Sequence, residues 1–111
     1  MDNKINIKTL RGEIVKEEKF RVWLLEQKRY WNGKEDFYTE NSVNSRVKCL
    51  KKLEKIFNID IEEKIKNRDV AKEFLKEIRN RNIEDLKHTP LSNAFRHYYK
   101  FATGDFIDKI F

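Results

Sequence analysis

Apolar residues recur at steps of three and four along most of the chain, a spacing that predicts helices and identifies their buried faces. A first helix is expected from about Glu13 to Tyr30, with Phe20, Trp23, Leu24 and Gln27 on one face and Val22 and Leu25 widening it. Trp31 to Tyr38, broken by Gly33, reads as an aromatic loop. Val43, Val47, Leu50, Leu53 and Phe57 then form a stripe ending near Asn58, on a helix for which Asn41 or Ser42 supplies the N-terminal cap. Asp60-Ile61-Glu62-Glu63 is a capping-box variant that opens a short helix through about Lys66. A fourth helix is expected after a cap at Asp69, with Val70, Phe74 and Ile78 at spacing four, Ala71 and Leu75 beside them, and an end near Asn80 and Asn82. Thr89-Pro90 is a sharp helix start, because proline at the first helical position gives up no needed hydrogen bond. That last helix runs to about Thr103, with Gly104 as its stop.

The ends of the chain are less regular. Ile5 and Ile7 alternate within residues 4–11, so residues 1–12 are expected to form a short extended arm. Residues 105–111 are expected to make one more amphipathic turn, with Phe106, Ile107, Ile110 and Phe111 seeking cover or a homodimer contact. The expected fold class is therefore all-α, a compact bundle of four to five helices over residues 13–104, within one domain spanning residues 1–111. Composition supports this: 39% of the 111 residues are hydrophobic and 13% aromatic, enough for one core despite 40% charged residues. Three glycines and one proline make a hairpin-rich β architecture improbable. A single cysteine, Cys49, cannot form an internal disulfide, which fits the cytoplasm, and its place in a helical pattern suggests a packed side chain. No apolar run approaches a membrane span.

The net charge is +6. Lysine, isoleucine and asparagine are all abundant, as AT-rich coding would also produce, so the position of the charge is more informative than its total. At 100° per residue, Lys48, Lys51, Lys52 and Lys55 fall together on about 100° of the second main helix, away from its apolar stripe. Arg46 and Glu54 fall near the apolar edges, where their stems can cover the core. Arg96 and Lys100 lie on the last helix, and residues 89–101 contain no acid. Residues 42–57 and 89–101 together hold the whole excess, while charges elsewhere alternate in sign as on Lys16-Glu17-Glu18-Lys19. A one-signed face repels itself and usually serves attraction to an anion, most commonly the phosphate backbone.

The last helix, Pro90-Leu91-Ser92-Asn93-Ala94-Phe95-Arg96-His97-Tyr98-Tyr99-Lys100-Phe101-Ala102-Thr103-Gly104, resembles the last helix of the SAM-like core-binding domain of phage integrases and other tyrosine recombinases. There the pattern is Leu-Ser, a small residue, an apolar residue, Arg, then aromatics with a basic residue and a closing Gly. Phe20 with Trp23-Leu24 is similar to that family's Phe-x-x-aromatic-Leu, and Ser42 to Leu53 resembles its second helix. The resemblance covers about Lys16 to Gly104 and implies a SAM-like helical bundle whose second and last helices face DNA. Lys48, Lys51, Lys52, Lys55, Arg96 and Lys100 would then meet phosphate. The aromatic 31–41 loop and the acidic turn at 58–69 depart from the pattern. So does the lack of a catalytic domain: neither His88 nor His97 is followed by Arg at the third position, so strand cleavage is not implied.

No enzymatic or cofactor chemistry is expected. Two histidines and one cysteine, far apart, match no common metal-ligand spacing, and there is no GxGxxG, GxxxxGK[ST] or HExxH. His97 is expected at the surface, and Trp31, Phe37 and Tyr38 are expected to pack on the domain in preference to stacking on bases. The leading expectation is a non-catalytic DNA-binding module making four to six phosphate contacts. The alternative is a small inhibitor or regulator encoded by a mobile element, of the anti-CRISPR or anti-restriction kind, bound to a nuclease or its nucleic acid. The sign of the charge excludes an acidic DNA mimic.

Overall fold

The longest helix, α2 (Glu40–Phe57), organises the rest. Its N-cap is Thr39, whose Oγ1 accepts from the Ser42 N–H at 3.1 Å, and Glu40 in the first turn complements the positive end of the helix dipole. The cap thus precedes the expected Asn41 or Ser42. The anticipated stripe is buried in full at Val43, Val47, Leu50 and Leu53, and Asn58 closes the helix in the left-handed conformation at φ 54°. The computed structural model of the chain describes residues 14, 16–31, 33–85 and 89–107. The expected arm at residues 1–12 lies outside the described residues, as do His88, Ile110 and Phe111.

Among the described residues, four further helices surround α2: α1 (Glu17–Leu25) before it, then α3 (Ile61–Lys64), α4 (Arg68–Asn80) and α5 (Pro90–Thr103). The mostly helical bundle expected from periodicity is present, with one addition. The first helix stops at Leu25, five residues short of Tyr30, and the chain continues as a hairpin of β1 (Lys28–Trp31) and β2 (Lys34–Phe37). Helix α1 is closed by the Gln27 side chain, whose Nε2 donates to the Trp23 carbonyl at 3.0 Å. The strands pair antiparallel from Lys28 opposite Phe37 to Trp31 opposite Lys34. Only Asn32-Gly33 separates them, and Gly33 sits at φ 77°, a conformation glycine adopts without steric cost. The 31–38 segment is therefore half of a hairpin, and Asn-Gly was its signal.

The core is one cluster. Phe20 and Leu24 of α1, the α2 stripe, Ile61, Ala71, Phe74 and Ile78, and Leu91, Ala94, Phe95 and Tyr98 of α5 are all buried. Rings interlock edge to face, Phe20 with Tyr98 at 5.2 Å and Phe74 with Phe95 at 4.9 Å between centroids. Burying each such side chain contributes about 1.5–3 kcal/mol, so this cluster dominates over any surface ion pair. The Tyr98 hydroxyl is not lost inside, because it donates to Glu62. Burial, then that contact, raise its pKa.

Four carboxyl or amide side chains hold the starts of α3, α4 and α5. Asp60 Oδ1 accepts from the Glu62 N–H at 3.0 Å at the head of α3, as the capping pattern implied, though α3 ends at Lys64. Glu54, expected to lay its stem over the core edge, is instead buried at 5% exposure and accepts from the Ile61 N–H at 2.8 Å, joining α2 to α3. Asn67 replaces the expected Asp69 as the cap of α4, accepting from the Val70 N–H at 2.9 Å. At α5, Pro90 and Gly104 lie where the sequence placed the start and stop, but Thr89 makes no capping bond. Glu84 does that work, accepting from the Leu91 N–H at 2.8 Å and from Ser92. Beyond Gly104 the described residues do not form a helical turn: Ile107 is buried, Phe106 is exposed, and Arg68 bridges Asp105 at 2.5 Å. No helix among the described residues is long and apolar enough to cross a membrane.

Candidate nucleic-acid interface

Packing fixes one face of α2 inward, so its opposite face must be outward. At 100° per residue, Lys48, Lys52 and Lys55 lie within about 60° of each other, centred nearly opposite the buried stripe. All three are exposed, and none forms an ion pair among the described residues. Lys51 differs. It is turned towards α1, where its Nζ bridges Glu17 at 3.2 Å, and that same carboxylate takes Arg21 Nε at 3.1 Å. Burial alone would raise the Glu17 carboxyl, but hydrogen bonds from Arg21 and Lys51, with their charges, outweigh it and hold its pKa below the usual value.

Arg96 and Lys100 are brought together on α5, one helical turn apart. Arg96 is half-buried and its guanidinium reaches Asn93; Lys100 is exposed, with its ammonium 5.5 Å from the Phe106 ring centroid. The α2 cation whose charge acts on His97, between these two on α5, is not one of the four lysines but Arg46, which lies roughly 120–180° around α2 from them. Thus the structure holds two basic groups: the α2 lysines, with Lys51 leaning to α1, and a second group where α2, α5 and the hairpin meet.

The second group is built around Tyr38 and His97, neither of which sequence reasoning placed in a site. Tyr38, just beyond β2, is buried at 8% exposure and its hydroxyl lies 3.1 Å from His97 Nε2. The Arg29 guanidinium, from β1, sits 5.2 Å from the Tyr38 ring centroid and that of Arg46, from α2, 5.1 Å. His97 is not the surface residue expected; it is half-buried. Burial first, then the charges of Arg46, Arg96 and Lys100, lower its pKa to about 4, so the ring is neutral at pH 7. The Asn93 carbonyl one turn back opposes this by favouring a proton on the ring, without overcoming it. Arg46 Nε is buried and meets no acceptor. The available sequence signal was the arginine itself: Arg29 and Arg46 are 17 positions apart, and only the hairpin brings them to one ring.

Phe37 is exposed, with the Lys28 ammonium 5.3 Å from its ring centroid, so it does not pack on the domain as Tyr38 does. Cys49 is half-buried against the core, and burial raises its thiol pKa. Among the described residues, no three His, Cys, Asp or Glu side chains group as a metal site. No protein-family model matches the chain, and no curated protein or solved structure matches it either.

Proposed function

We propose that the protein is a non-catalytic DNA-binding helical module that grips the phosphate backbone through α2. The observation that carries this is the outward face with Lys48, Lys52 and Lys55, three exposed ammonium groups on a rigid core helix with no acid paired to them among the described residues. Counter-ions condensed on a duplex are released when such a face meets phosphate, a driving force that needs no base contact. The resemblance of the helix order to integrase core-binding domains supports the same reading; it would also bring in Arg96 and Lys100 of α5, which lie in the second basic group apart from the α2 lysines.

The test is duplex binding by fluorescence anisotropy at low salt. Lys48→Glu with Lys55→Glu should weaken binding at least about tenfold and leave thermal unfolding in place, since both side chains are exposed. Lys72→Glu, on the alternating face of α4, should change affinity far less. Equal effects from both variants would leave the α2 face without a special role.

One observation favours the alternative, an inhibitor or regulator docked on a nuclease. Val22 and Leu25 of α1, three positions apart on one helix, are 54% and 37% exposed and offer an apolar contact beside the core. Loss of nuclease inhibition on changing Val22 to Glu, with duplex binding absent, would select that alternative.

A further inference from the structure

Helix α1 has a face that the core does not use. Phe20 and Leu24 are buried, and Glu17 and Arg21 lie on the flank towards α2, where Glu17 takes Lys51 and Arg21 reaches Asn44. At 100° per residue, Glu18, Lys19, Val22, Trp23 and Glu26 share about 140° of the remaining arc, with Val22 almost directly opposite the buried pair. Among the described residues these five line a shallow, open groove of about 390 Å³. Trp23 forms its firm wall, because the ring is held against Phe20 at 6.2 Å and Phe101 at 5.7 Å between centroids. Val22, in the middle, is 54% exposed.

Two properties fit this face to another helix. Glu18-Val22-Glu26 and Lys19-Trp23 are adjacent rows at spacing four, and the furrow between such rows receives a row of the facing helix in the commonest mode of helix packing. The charges also complement themselves. Lys19 and Glu26 are seven positions apart, with Val22 and Trp23 between them, and neither forms an ion pair among the described residues. In a two-fold contact, if residue i meets j, then j meets i. Laying a second α1 antiparallel, with the axis between Val22 and Trp23, sets each Lys19 opposite the partner's Glu26 and each Val22 against the partner's Trp23. A parallel arrangement would instead oppose lysine to lysine and acid to acid.

We propose that the protein forms a homodimer by antiparallel packing of α1 on α1, with Val22 and Trp23 at the centre and reciprocal Lys19–Glu26 pairs at the ends. A helix of about 13 Å presents less area than a permanent dimer needs, so the association is weak and depends on concentration. None of the α2 lysines takes part, and the dimer stands or falls independently of DNA binding.

Sedimentation equilibrium of the full chain, from micromolar to millimolar concentration, reads the association directly, and the wild-type protein should approach the dimer mass at the upper end. Charge reversal then tests the register. In a dimer of Lys19→Glu both end contacts set acid against acid, and in a dimer of Glu26→Lys both set lysine against lysine, so each variant should raise the dissociation constant about tenfold. An equimolar mixture of the two should recover wild-type association, because every facing pair in the mixed dimer is again opposite in sign. Both side chains are exposed, and recovery on mixing cannot arise from a variant that has failed to fold. Val22→Asp should abolish association alone and in any mixture. A wild-type protein that stays monomeric throughout would overturn the dimer and leave the face to a different protein. Dimerisation that both charge variants retain would also overturn it, placing the contact elsewhere, as at the exposed Phe106. So would a mixture that associates no better than its components.

Discussion

If the α2 face binds a duplex by neutralising phosphates, the salt dependence of binding counts the lysines that take part. Three of the four are exposed and free of ion pairs among the described residues, whereas Lys51 is already engaged by Glu17 at 3.2 Å. Three contacts give a slope of log affinity against log salt of about −2.7, and so about a 40-fold loss of affinity between 50 and 200 mM salt. If Arg96 and Lys100 also reach the backbone, five contacts give a slope of about −4.5 and a loss of about 500-fold over the same range. These outcomes are far enough apart for anisotropy titrations at four or five salt concentrations to separate them. Lys→Gln variants sharpen the count, because glutamine keeps helix propensity while deleting charge. Lys52→Gln should flatten the slope by about 0.9, and Lys51→Gln should flatten it less, since the Glu17 bridge limits what Lys51 releases. A slope that Lys52→Gln leaves untouched would refute backbone neutralisation by this face, whatever the affinity.

Three other outcomes test the architecture beneath the site. Glu84→Ala removes the acceptor for Leu91 and Ser92 and should cost about 1–2 kcal/mol, lowering the melting temperature by roughly 4–16 °C, while Thr89→Ala should stay within about 0.5 kcal/mol. A Thr89→Ala penalty equal to that of Glu84→Ala would show that the cap is misassigned. Glu54→Ala leaves the buried Ile61 N–H without its acceptor and should cost about 1–3 kcal/mol in denaturant unfolding, more than Glu54→Gln, which keeps an oxygen in place. His97 should make stability fall on acidification. The unfolded ring takes up a proton near pH 6.5 while the folded ring stays neutral until about 4, so unfolding absorbs protons in that window and stability is progressively lost as pH falls through it. The whole effect is at most about 3 kcal/mol, and His97→Gln should flatten the unfolding free energy between pH 6.5 and 5. A variant retaining the wild-type slope there would place the proton uptake elsewhere.

Much of the fold was legible because helix signals are local. The α2 stripe from Val43 to Leu53 is buried as its spacing required, and Pro90 and Gly104 bound α5 because each acts on its own backbone position. The errors arose where a partner lies several residues away. Glu84 caps a helix that begins six residues later, and Glu54 reaches seven residues forward to Ile61, distances no short capping pattern encodes. Gln27 to Tyr30 fits a helical period as readily as a strand, so periodicity alone extends α1 too far, and Asn32-Gly33 is the local signal for the hairpin. The lysine face could be seen on a helical wheel, since all four residues share one element. The arginines around Tyr38 could not, because their meeting depends on tertiary pairing, and a wheel shows Arg46 only as an edge residue.

That dependence on pairing gives the hairpin an unusual influence. Antiparallel strands return the chain to where it left, so Arg29 and Tyr38 meet although eight residues intervene. Strand side chains alternate between two faces, and sliding one strand by a single position would swing Arg29 to the far side of the ribbon. Deleting or adding one residue in the tip around Gly33 would therefore break the Arg29–Tyr38 contact while barely touching the helices, whereas changing the tip two residues at a time would preserve facing. The contact would follow the parity of the loop, not its length.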